Sequence, residues 1–250
     1  EQDLYDWQKM TELLAAQEPW WEPGTRSGYH AITQGYLQGE IVRRITGRSL
    51  GTFFAEEIAG PLQADFHIGT ASEHFDRIAE LIPPEAAPAA ELRIDPDSIA
   101  GRTFRSPPID ALWSRKAAWR EAEIPAANGH GNARSVVRVH TPMACGGSAY
   151  GVDLLSPDTV CRVFEEQTSG TDLVLGVPIR FGMGFGLQST LLPIGPNKNV
   201  CFWGGWGGSI AVVDCDAKVC MSYVMNRMAA TLTGDLRSAS LLLAAYDCLG

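Results

Sequence analysis

The first sixty residues contain three segments in which apolar side chains recur every three or four positions, the spacing of a helix face. The segments cover about residues 6–17, 30–46 and 49–59. Ser49 is a favourable N-cap for the third segment, and Gly47 is a favourable end for the second. The apolar faces consist of Trp7, Met10, Leu13 and Leu14; of Leu37, Ile41 and Ile45; and of Leu50, Phe53, Phe54 and Ile58. We therefore predict three helices before Gly60-Pro61.

The periodicity weakens between residues 81 and 120, where prolines are frequent. They are Pro83, Pro84, Pro88, Pro96, Pro107 and Pro108. This composition predicts a long irregular excursion. Helical spacing returns at residues 132–141, ending before Pro142. Another helix is predicted to begin at Ser156-Pro157-Asp158, because serine caps a helix and proline suits its first turn; Val160, Val163 and Phe164 supply its apolar face.

After Gly170 the apolar spacing becomes typical of strands separated by turns. Strands are predicted at residues 173–179, 182–187, 200–202, 209–213 and 219–225, with a last helix at residues 235–247. Helices, then an antiparallel meander, then a terminal helix predict an α+β fold. No linker divides the chain, so residues 1–250 are interpreted as a single domain.

Charge and hydropathy exclude several classes of partner. The chain has 250 residues and a formal net charge of −9, without a run of Lys or Arg, so neither nucleic acid nor an anionic membrane surface is an expected partner. No apolar stretch approaches the roughly 20 residues of a membrane-spanning helix. The N-terminal Glu1-Gln2-Asp3-Leu4 has neither the basic flank nor the apolar stretch of a signal peptide.

The six cysteines are scattered without C-x-x-C spacing, and no histidine lies near them in a zinc pattern. They are Cys145, Cys161, Cys201, Cys215, Cys220 and Cys248. Scattered thiols of this kind are typical of a reducing compartment, so we predict a cytoplasmic protein with free cysteines. Gly182-Met183-Gly184-Phe185-Gly186 lacks the spacing and the following helix of a dinucleotide loop. Neither a metal nor a cofactor is expected.

Candidate chemistry is concentrated in a few aromatic and glycine-rich segments. Trp20-Trp21-Glu22-Pro23-Gly24 forms an aromatic turn, and Thr25-Arg26-Ser27-Gly28-Tyr29-His30-Ala31 leads from it into the second predicted helix. Further along are Gly131-Asn132-Ala133-Arg134-Ser135 and Trp203-Gly204-Gly205-Trp206-Gly207-Gly208-Ser209, the latter followed by Tyr223-Val224-Met225-Asn226-Arg227-Met228. Across most of the chain these segments resemble the β-lactamase-like serine hydrolases. The closest branch is that of the esterases, the family VIII-type carboxylesterases and their class C β-lactamase-like relatives.

The resemblance implies a β-lactamase/DD-peptidase-like fold and acyl transfer to a serine. A lysine three residues after that serine helps to deprotonate it, and a tyrosine relays the proton; Tyr29 takes the place of that tyrosine, although Ala31 stands where many members have Asn. The segment of Trp203, Gly204 and Gly205 matches the strand that walls the active site. The backbone N–H of Trp206 would be an oxyanion donor. Trp20, Trp21 and His30 are expected to line the pocket.

The nucleophile of the family is missing from these 250 residues, because no serine is followed by a lysine three positions later. Cys215-Asp216-Ala217-Lys218 has the spacing with a thiol, but in a predicted tight turn. A tyrosine, with a reference pKa of about 10, works as a base near neutrality only beside a cation. We therefore expect that an N-terminal segment is absent and that the chain alone is inactive.

Two functions remain open. The first is a carboxylesterase acting on small acyl esters, since Trp20, Trp21, Trp203 and Trp206 favour an apolar group and Trp203 replaces the cationic lysine of a true β-lactamase. Its partners would be a small ester and either the missing N-terminal segment or a second copy of the chain. The second is a non-catalytic module that keeps the fold for binding or self-association. In that case Tyr29, Trp203 and Trp206 are ordinary packing aromatics.

Overall fold

In the computed structural model, residues 1–85, 94–105 and 107–249 are described, and they form a helical lobe followed by a sheet flanked by helices. The helices are α1 (Trp7–Ala16), α2 (Gln34–Thr46), α3 (Leu50–Phe54), α4 (Ile99–Phe104), α5 (Ala117–Glu121), α6 (Ala133–Ala144), α7 (Pro157–Val163) and α8 (Leu236–Leu249). Short 3-10 helices occur at Gln2–Tyr5, Ser72–Arg77 and Ala111–Arg115. The predicted α+β class is confirmed.

The three N-terminal helices lie where the apolar spacing predicts them. The Asp6 carboxylate accepts a hydrogen bond from the Lys9 N–H at the start of α1, and the Ser49 hydroxyl accepts one from Thr52 at the start of α3. Gly47 ends α2 in the left-handed conformation, with φ of 74°. The third helix is not α-helical throughout, because its second half, Ala55–Ala59, winds as a π-helical turn before Gly60.

The excursion predicted at residues 81–120 is less irregular than its prolines indicate. Ser98 caps α4 and Asp110 caps the 3-10 helix Ala111–Arg115, each by accepting a backbone N–H. The helices in this region are only five or six residues long, too short for a periodic pattern to be visible in the sequence. Pro88 and the rest of residues 86–93, with residue 106, lie outside the described residues.

Helix α6 continues beyond its predicted end and includes Pro142. Pro142 stands in the last turn, so its missing N–H and the crowding of the carbonyl four residues earlier disturb only the end of the helix. Its own carbonyl accepts the Gly147 N–H at 2.7 Å, which closes the end of the helix. The prediction that α6 ends before Pro142 was therefore wrong. Helix α7 begins as predicted, with the Ser156 hydroxyl accepting the Thr159 N–H.

Six strands form one antiparallel meander in the order β3-β4-β5-β6-β7-β8. They are β3 (Thr168–Thr171), β4 (Pro178–Phe181), β5 (Gly186–Leu187), β6 (Val200–Gly204), β7 (Ile210–Asp214) and β8 (Val219–Tyr223), after a separate hairpin of β1 (Ser148–Ala149) and β2 (Val152–Asp153). Two strand predictions fail in part. Residues 173–177 form a loop before β4, and only Gly186–Leu187 of the predicted 182–187 strand pairs.

The sheet separates two apolar layers, because alternate residues of β6 and β7 point to opposite faces. Cys201 and Val213 pack with Met143 of α6 and Val160 of α7. Val200, Phe202, Ile210 and Val212 pack on the other face, with Leu242 of α8. The helical lobe has its own core, which is formed by Leu4, Met10, Tyr36, Trp119 and Ile124.

Within the described ranges, none of the helices combines the length and the apolar composition needed to cross a membrane. In the same ranges, no three His, Cys, Asp or Glu side chains are grouped so as to hold a metal ion. All six cysteines lie in this part of the chain and are free thiols.

Candidate active site

A cavity of about 500 Å³ lies between the loop that follows α1, the start of α2 and the loop before β4. Four residues that the sequence assigns to a substrate pocket line it together: Trp20, Trp21, Tyr29 and His30. Val174 contributes from the loop before β4. These four residues share one cavity, whereas Trp203, Gly204, Gly205 and Trp206 are not among the described residues that line it.

The loop that carries Tyr29 is shaped by a close contact at Gly28. A Cβ atom at Gly28 would lie 2.4 Å from Cη2 of Trp21, so only glycine lets the indole ring lie against this backbone. The Trp21 indole N–H donates to the Arg26 carbonyl at 3.2 Å. His30 begins the turn into α2, where its carbonyl accepts the Thr33 N–H at 2.9 Å. Tyr29 is thereby held between an aromatic turn and a helix start.

Aromatic rings link the cavity to the sheet. The ring centroids of Tyr29 and Trp203 are 5.4 Å apart, with an angle of 52° between the planes. Trp203 also contacts Phe181 of β4, with centroids 5.5 Å apart. Burial raises the pKa of the Tyr29 phenol, and the neighbouring Trp203 indole N–H opposes that rise in part. Without a cation beside it, Tyr29 is therefore a neutral phenol at neutral pH.

The glycine-rich segment after β6 forms a tight turn that presents the backbone of Trp206. The Gly205 N–H donates to the Ser209 carbonyl at 2.9 Å, and the Gly207 N–H donates to the Thr231 carbonyl at 2.9 Å. Between them, the Trp206 N–H has no acceptor among the described residues. The Trp206 indole nitrogen is buried and lacks a partner in the same part of the chain. Trp206 is not among the described residues that line the cavity.

An ion pair at the start of α8 supports this turn from behind. Gly207 and Gly208 have φ of 105° and 108°, which side chains rarely adopt. The Arg237 guanidinium donates to the Gly207 carbonyl at 3.0 Å and to the Arg227 carbonyl at 2.8 Å. Asp235 pairs with Arg237 and occupies the space that a Cβ at Gly208 would need. The sequence reasoning did not identify this pair.

A second residue that the sequence reasoning missed is Asp172, whose side chain is 1% exposed. Its carboxylate accepts the Ser27 hydroxyl at 2.7 Å and the Tyr29 N–H at 3.1 Å. A charged residue at the start of a predicted strand was the available signal, since aspartate is depleted in strands and enriched in turns. Because residues 173–179 were predicted to form a strand, the role of Asp172 in this loop was not identified.

Two other groups among the described residues, the Cys215 thiol and the Ser209 hydroxyl of Gly207-Gly208-Ser209-Ile210-Ala211, are poorly placed to act as the nucleophile. Cys215 is partly buried, and burial raises the pKa of its thiol to about 11, so it is not a thiolate at neutral pH. Lys218 lies in the predicted tight turn with φ of 55°. Ser209 precedes the strand β7 and does not stand between a strand and a helix, so it does not form a nucleophile elbow.

Several known proteins are similar to this chain over most of its length. The β-lactamase family matches residues 1–246. The esterase/β-lactamase LipL of Mycobacterium tuberculosis is 35% identical over an alignment of 242 residues, and the match covers 93% of this chain and 55% of LipL. The crystal structure of a family VIII carboxylesterase is 39% identical with a TM-score of 0.90, over 99% of this chain and 65% of that one.

A penicillin-binding protein homologue from Caulobacter crescentus is also similar, at 38% identity with a TM-score of 0.88, over 98% of this chain and 64% of that one. The chain therefore spans about half of the length of the curated relative and somewhat less than two thirds of the solved structures. The match to these structures over nearly the whole chain confirms the β-lactamase/DD-peptidase-like fold. With a family match over residues 1–246 and solved relatives above 35% identity, the chain belongs to the β-lactamase family.

Proposed function

We propose that this chain is the larger part of a serine hydrolase, a carboxylesterase that cleaves small acyl esters through an acyl-enzyme. The observation that carries the proposal is the position of Tyr29, which lines the cavity and also contacts Trp203 of the glycine-rich strand segment. In this proposal a serine and its partner lysine come from outside these 250 residues. The names of two similar proteins, a family VIII carboxylesterase and an esterase/β-lactamase, support an ester substrate.

Tyr29 is assigned the proton relay between the serine hydroxyl and the leaving alcohol. Burial raises its pKa, so in this chain alone the phenol keeps its proton and cannot act as a base. A lysine ammonium brought next to the phenol oxygen would lower that pKa, because an adjacent positive charge stabilises the phenolate. The proposed mechanism therefore makes Tyr29 dependent on the segment that supplies the lysine.

Trp206 is assigned a backbone role. During acyl transfer the carbonyl oxygen gains negative charge, and an N–H that already points at that oxygen stabilises it. The Trp206 N–H has no acceptor among the described residues, and its flanking residues Gly205 and Gly207 are both hydrogen-bonded. The amide is thus held in a tight turn, and the proposal requires the segment outside these 250 residues to bring the ester carbonyl to it, because Trp206 is not among the described residues that line the cavity.

The pocket walls favour an apolar acyl or alcohol group. Trp20 and Trp21 line the cavity, and the Arg102 guanidinium covers the Trp20 ring at 3.9 Å from its centroid. Trp203 replaces the lysine that would meet the carboxylate of a β-lactam. We therefore propose neutral esters of short acyl chains as the preferred substrates, with β-lactams hydrolysed weakly at most.

The test is hydrolysis of p-nitrophenyl butyrate by the longer protein that includes a Ser-x-x-Lys segment. Tyr29→Phe should abolish turnover, and the 250-residue chain alone should be inactive. Tyr150→Phe is the matched control, because Tyr150 is half-exposed and, among the described residues, its hydroxyl hydrogen-bonds to Thr141 alone, at 3.1 Å. Full activity of the Tyr29→Phe protein would refute the proposed function.

A non-catalytic binding module remains the second candidate, because these 250 residues contain no Ser-x-x-Lys. The intact mass of the protein purified from its own source separates the two functions. A mass well above 27.1 kDa, with peptides that contain Ser-x-x-Lys, would support the hydrolase. A mass equal to that of this chain, without a co-purifying fragment, would favour the binding module and remove the catalytic role of Tyr29.

A further inference from the structure

The loop of Tyr29 and the loop before β4 meet at a single buried carboxylate. Asp172, 143 residues after Tyr29 in the chain, accepts the Tyr29 N–H at 3.1 Å and the Ser27 hydroxyl at 2.7 Å. It also accepts the N–H groups of Val174 and Leu175, both at 2.9 Å. One side chain thus accepts four donors from two segments that are distant in sequence.

These four hydrogen bonds account for the burial of a carboxylate that is 1% exposed. A buried carboxylate is strongly unfavourable unless its oxygens are hydrogen-bonded, and hydrogen bonds to a charged acceptor are among the strongest in proteins. The contact is reinforced by the backbone, since the Leu173 N–H donates to the Ser27 carbonyl at 2.8 Å. The two loops are therefore joined at this junction by one backbone hydrogen bond and by the four hydrogen bonds of the Asp172 carboxylate.

The junction determines where the phenol of Tyr29 points. Its backbone N–H is bound to Asp172, while its ring lies against Trp203 of β6 and faces the cavity. Val174, which lines the same cavity, is held by the other side of the carboxylate. We propose that Asp172 is a positioning residue for Tyr29: it fixes the backbone at Tyr29 so that the phenol stays between Trp203 and the pocket. The catalytic consequence rests on the proposed function, whereas the positioning does not.

Asp214 provides a matched comparison within the same molecule. It is also fully buried and also accepts four donors: the N–H groups of Asp216 at 3.0 Å and Ala217 at 2.9 Å, the Asn197 amide at 2.8 Å and the Tyr246 hydroxyl at 3.0 Å. It lies at the turn between β7 and β8, away from the Trp203 end of β6. Replacing Asp214 should lower the free energy of unfolding about as much as replacing Asp172 does, without changing the surroundings of Tyr29.

The experiment is NMR of the 250-residue chain with ¹³C-labelled tyrosine rings. Tyr29→Phe and Tyr246→Phe assign the two resonances. Asp172→Ala should move the Tyr29 ring resonance. It should also lower the pKa of the Tyr29 phenol towards the reference value of about 10, because the ring is no longer held buried against Trp203. The Tyr246 resonance should not move. Asp214→Ala should instead move the Tyr246 resonance and leave the Tyr29 resonance where it is.

Two milder variants keep the proposal testable if alanine prevents folding. Asp172→Asn keeps the Oδ1 atom that accepts three N–H groups, and its amide can donate to Ser27, so it should move the Tyr29 resonance in the same direction but less. Asp214→Asn is its control. An unmoved Tyr29 resonance in the Asp172 variants would overturn the positioning role. So would an equal movement in the Asp214 variants.

Kinetics of the longer protein separate this inference from the proposed function. A misplacement of about 1 Å can cost on the order of 100-fold in rate, so Asp172→Ala should lower kcat by roughly tenfold or more with KM changed by less than about twofold. A Tyr29→Phe protein with full activity would refute the hydrolase proposal, while the NMR result would still decide whether Asp172 positions Tyr29. Equal losses of kcat in the Asp172 and Asp214 variants would indicate a merely structural role.

Discussion

The phenol of Tyr29 is buried, and burial disfavours its ionisation more than the neighbouring Trp203 indole N–H favours it. Burial raises its pKa above the ordinary value of about 10, so the folded chain keeps this proton to higher pH than the unfolded chain does. The free energy that this residue contributes to folding is fully present below pH 10 and is lost as the pH rises towards the folded pKa.

We therefore expect the difference in ultraviolet tyrosine absorbance between the wild-type chain and Tyr29→Phe to titrate above pH 10. The free energy of unfolding should fall more steeply in the wild type than in the variant over that range. A difference titration centred at or below 10 would contradict the burial of the phenol.

The turn of Trp206 depends on the absence of a side chain at Gly208. A Cβ there would lie 2.0 Å from a carboxylate oxygen of Asp235, at a φ of 108° that L-residues avoid. Gly208→Ala should therefore lower the free energy of unfolding by more than the roughly 1–3 kcal/mol expected from backbone strain alone, as measured by urea denaturation. Gly184→Ala is the control, because Gly184 has φ of 80° but open space around it. Equal losses in the two variants would show that the Asp235 contact is unimportant.

The sequence groups some of the residues that share the cavity, but not all, since the contiguous segment Trp203-Gly204-Gly205-Trp206 is not among the described residues that line it. Tyr29, His30, Trp20 and Trp21 stand within eleven positions of one another and line one cavity. Asp172 and the Asp235–Arg237 pair were not identified from the sequence, because each forms hydrogen bonds with backbone groups that are far away in the chain. Nothing in the local pattern around Asp172 shows that the Tyr29 N–H will be its partner.

At the scale of elements, helix α6 depends on the capping box that opens it. The Asn132 side chain accepts the Ser135 N–H at 3.0 Å, and the Ser135 hydroxyl accepts the Asn132 N–H at 2.9 Å. Asn132→Ala should lower the free energy of unfolding by about 1 kcal/mol, measured by urea denaturation. Asn132→Ser should cause a much smaller loss, because serine also caps a helix. A loss in the serine variant equal to that in the alanine variant would argue against the cap.

Sequence periodicity located helices α1, α2 and α8 and strands β6, β7 and β8. It chose the wrong face of α2, because Leu37, Ile41 and Ile45 are exposed and the buried residues of this helix are Gly35, Tyr36 and Gly39. Residues 173–177 are apolar enough to resemble a strand. However, the Val174 and Leu175 N–H groups donate to the Asp172 carboxylate and are therefore not available to pair with a neighbouring strand. Pro142 was interpreted as a helix end because proline lacks the N–H of the helix ladder and its ring crowds the carbonyl four residues earlier, but in the structure it lies within the last turn of α6.

At the scale of the whole molecule, the layers of the fold leave apolar side chains uncovered on two helices. On α2, Leu37 is 40% exposed, Ile41 59% and Ile45 78%, and the three share one helix face. On α8, Leu236 is 87% and Leu243 67% exposed. Contiguous exposed apolar surface of this kind drives association or binds a partner.

We therefore expect the 250-residue chain to self-associate as its concentration rises and to bind an apolar dye such as ANS, measured by light scattering and fluorescence. The double variant Ile41→Lys/Ile45→Lys should reduce both signals while leaving the fold unchanged, because both positions are exposed and lysine is a good helix former. Leu112→Lys, at a residue 43% exposed in a short 3-10 helix, is the control and should change neither signal. A monodisperse wild-type monomer that binds no dye would show that the exposed face of α2 does not associate. The longer protein, if its added segment covers this face, should bind less dye than the 250-residue chain at equal concentration.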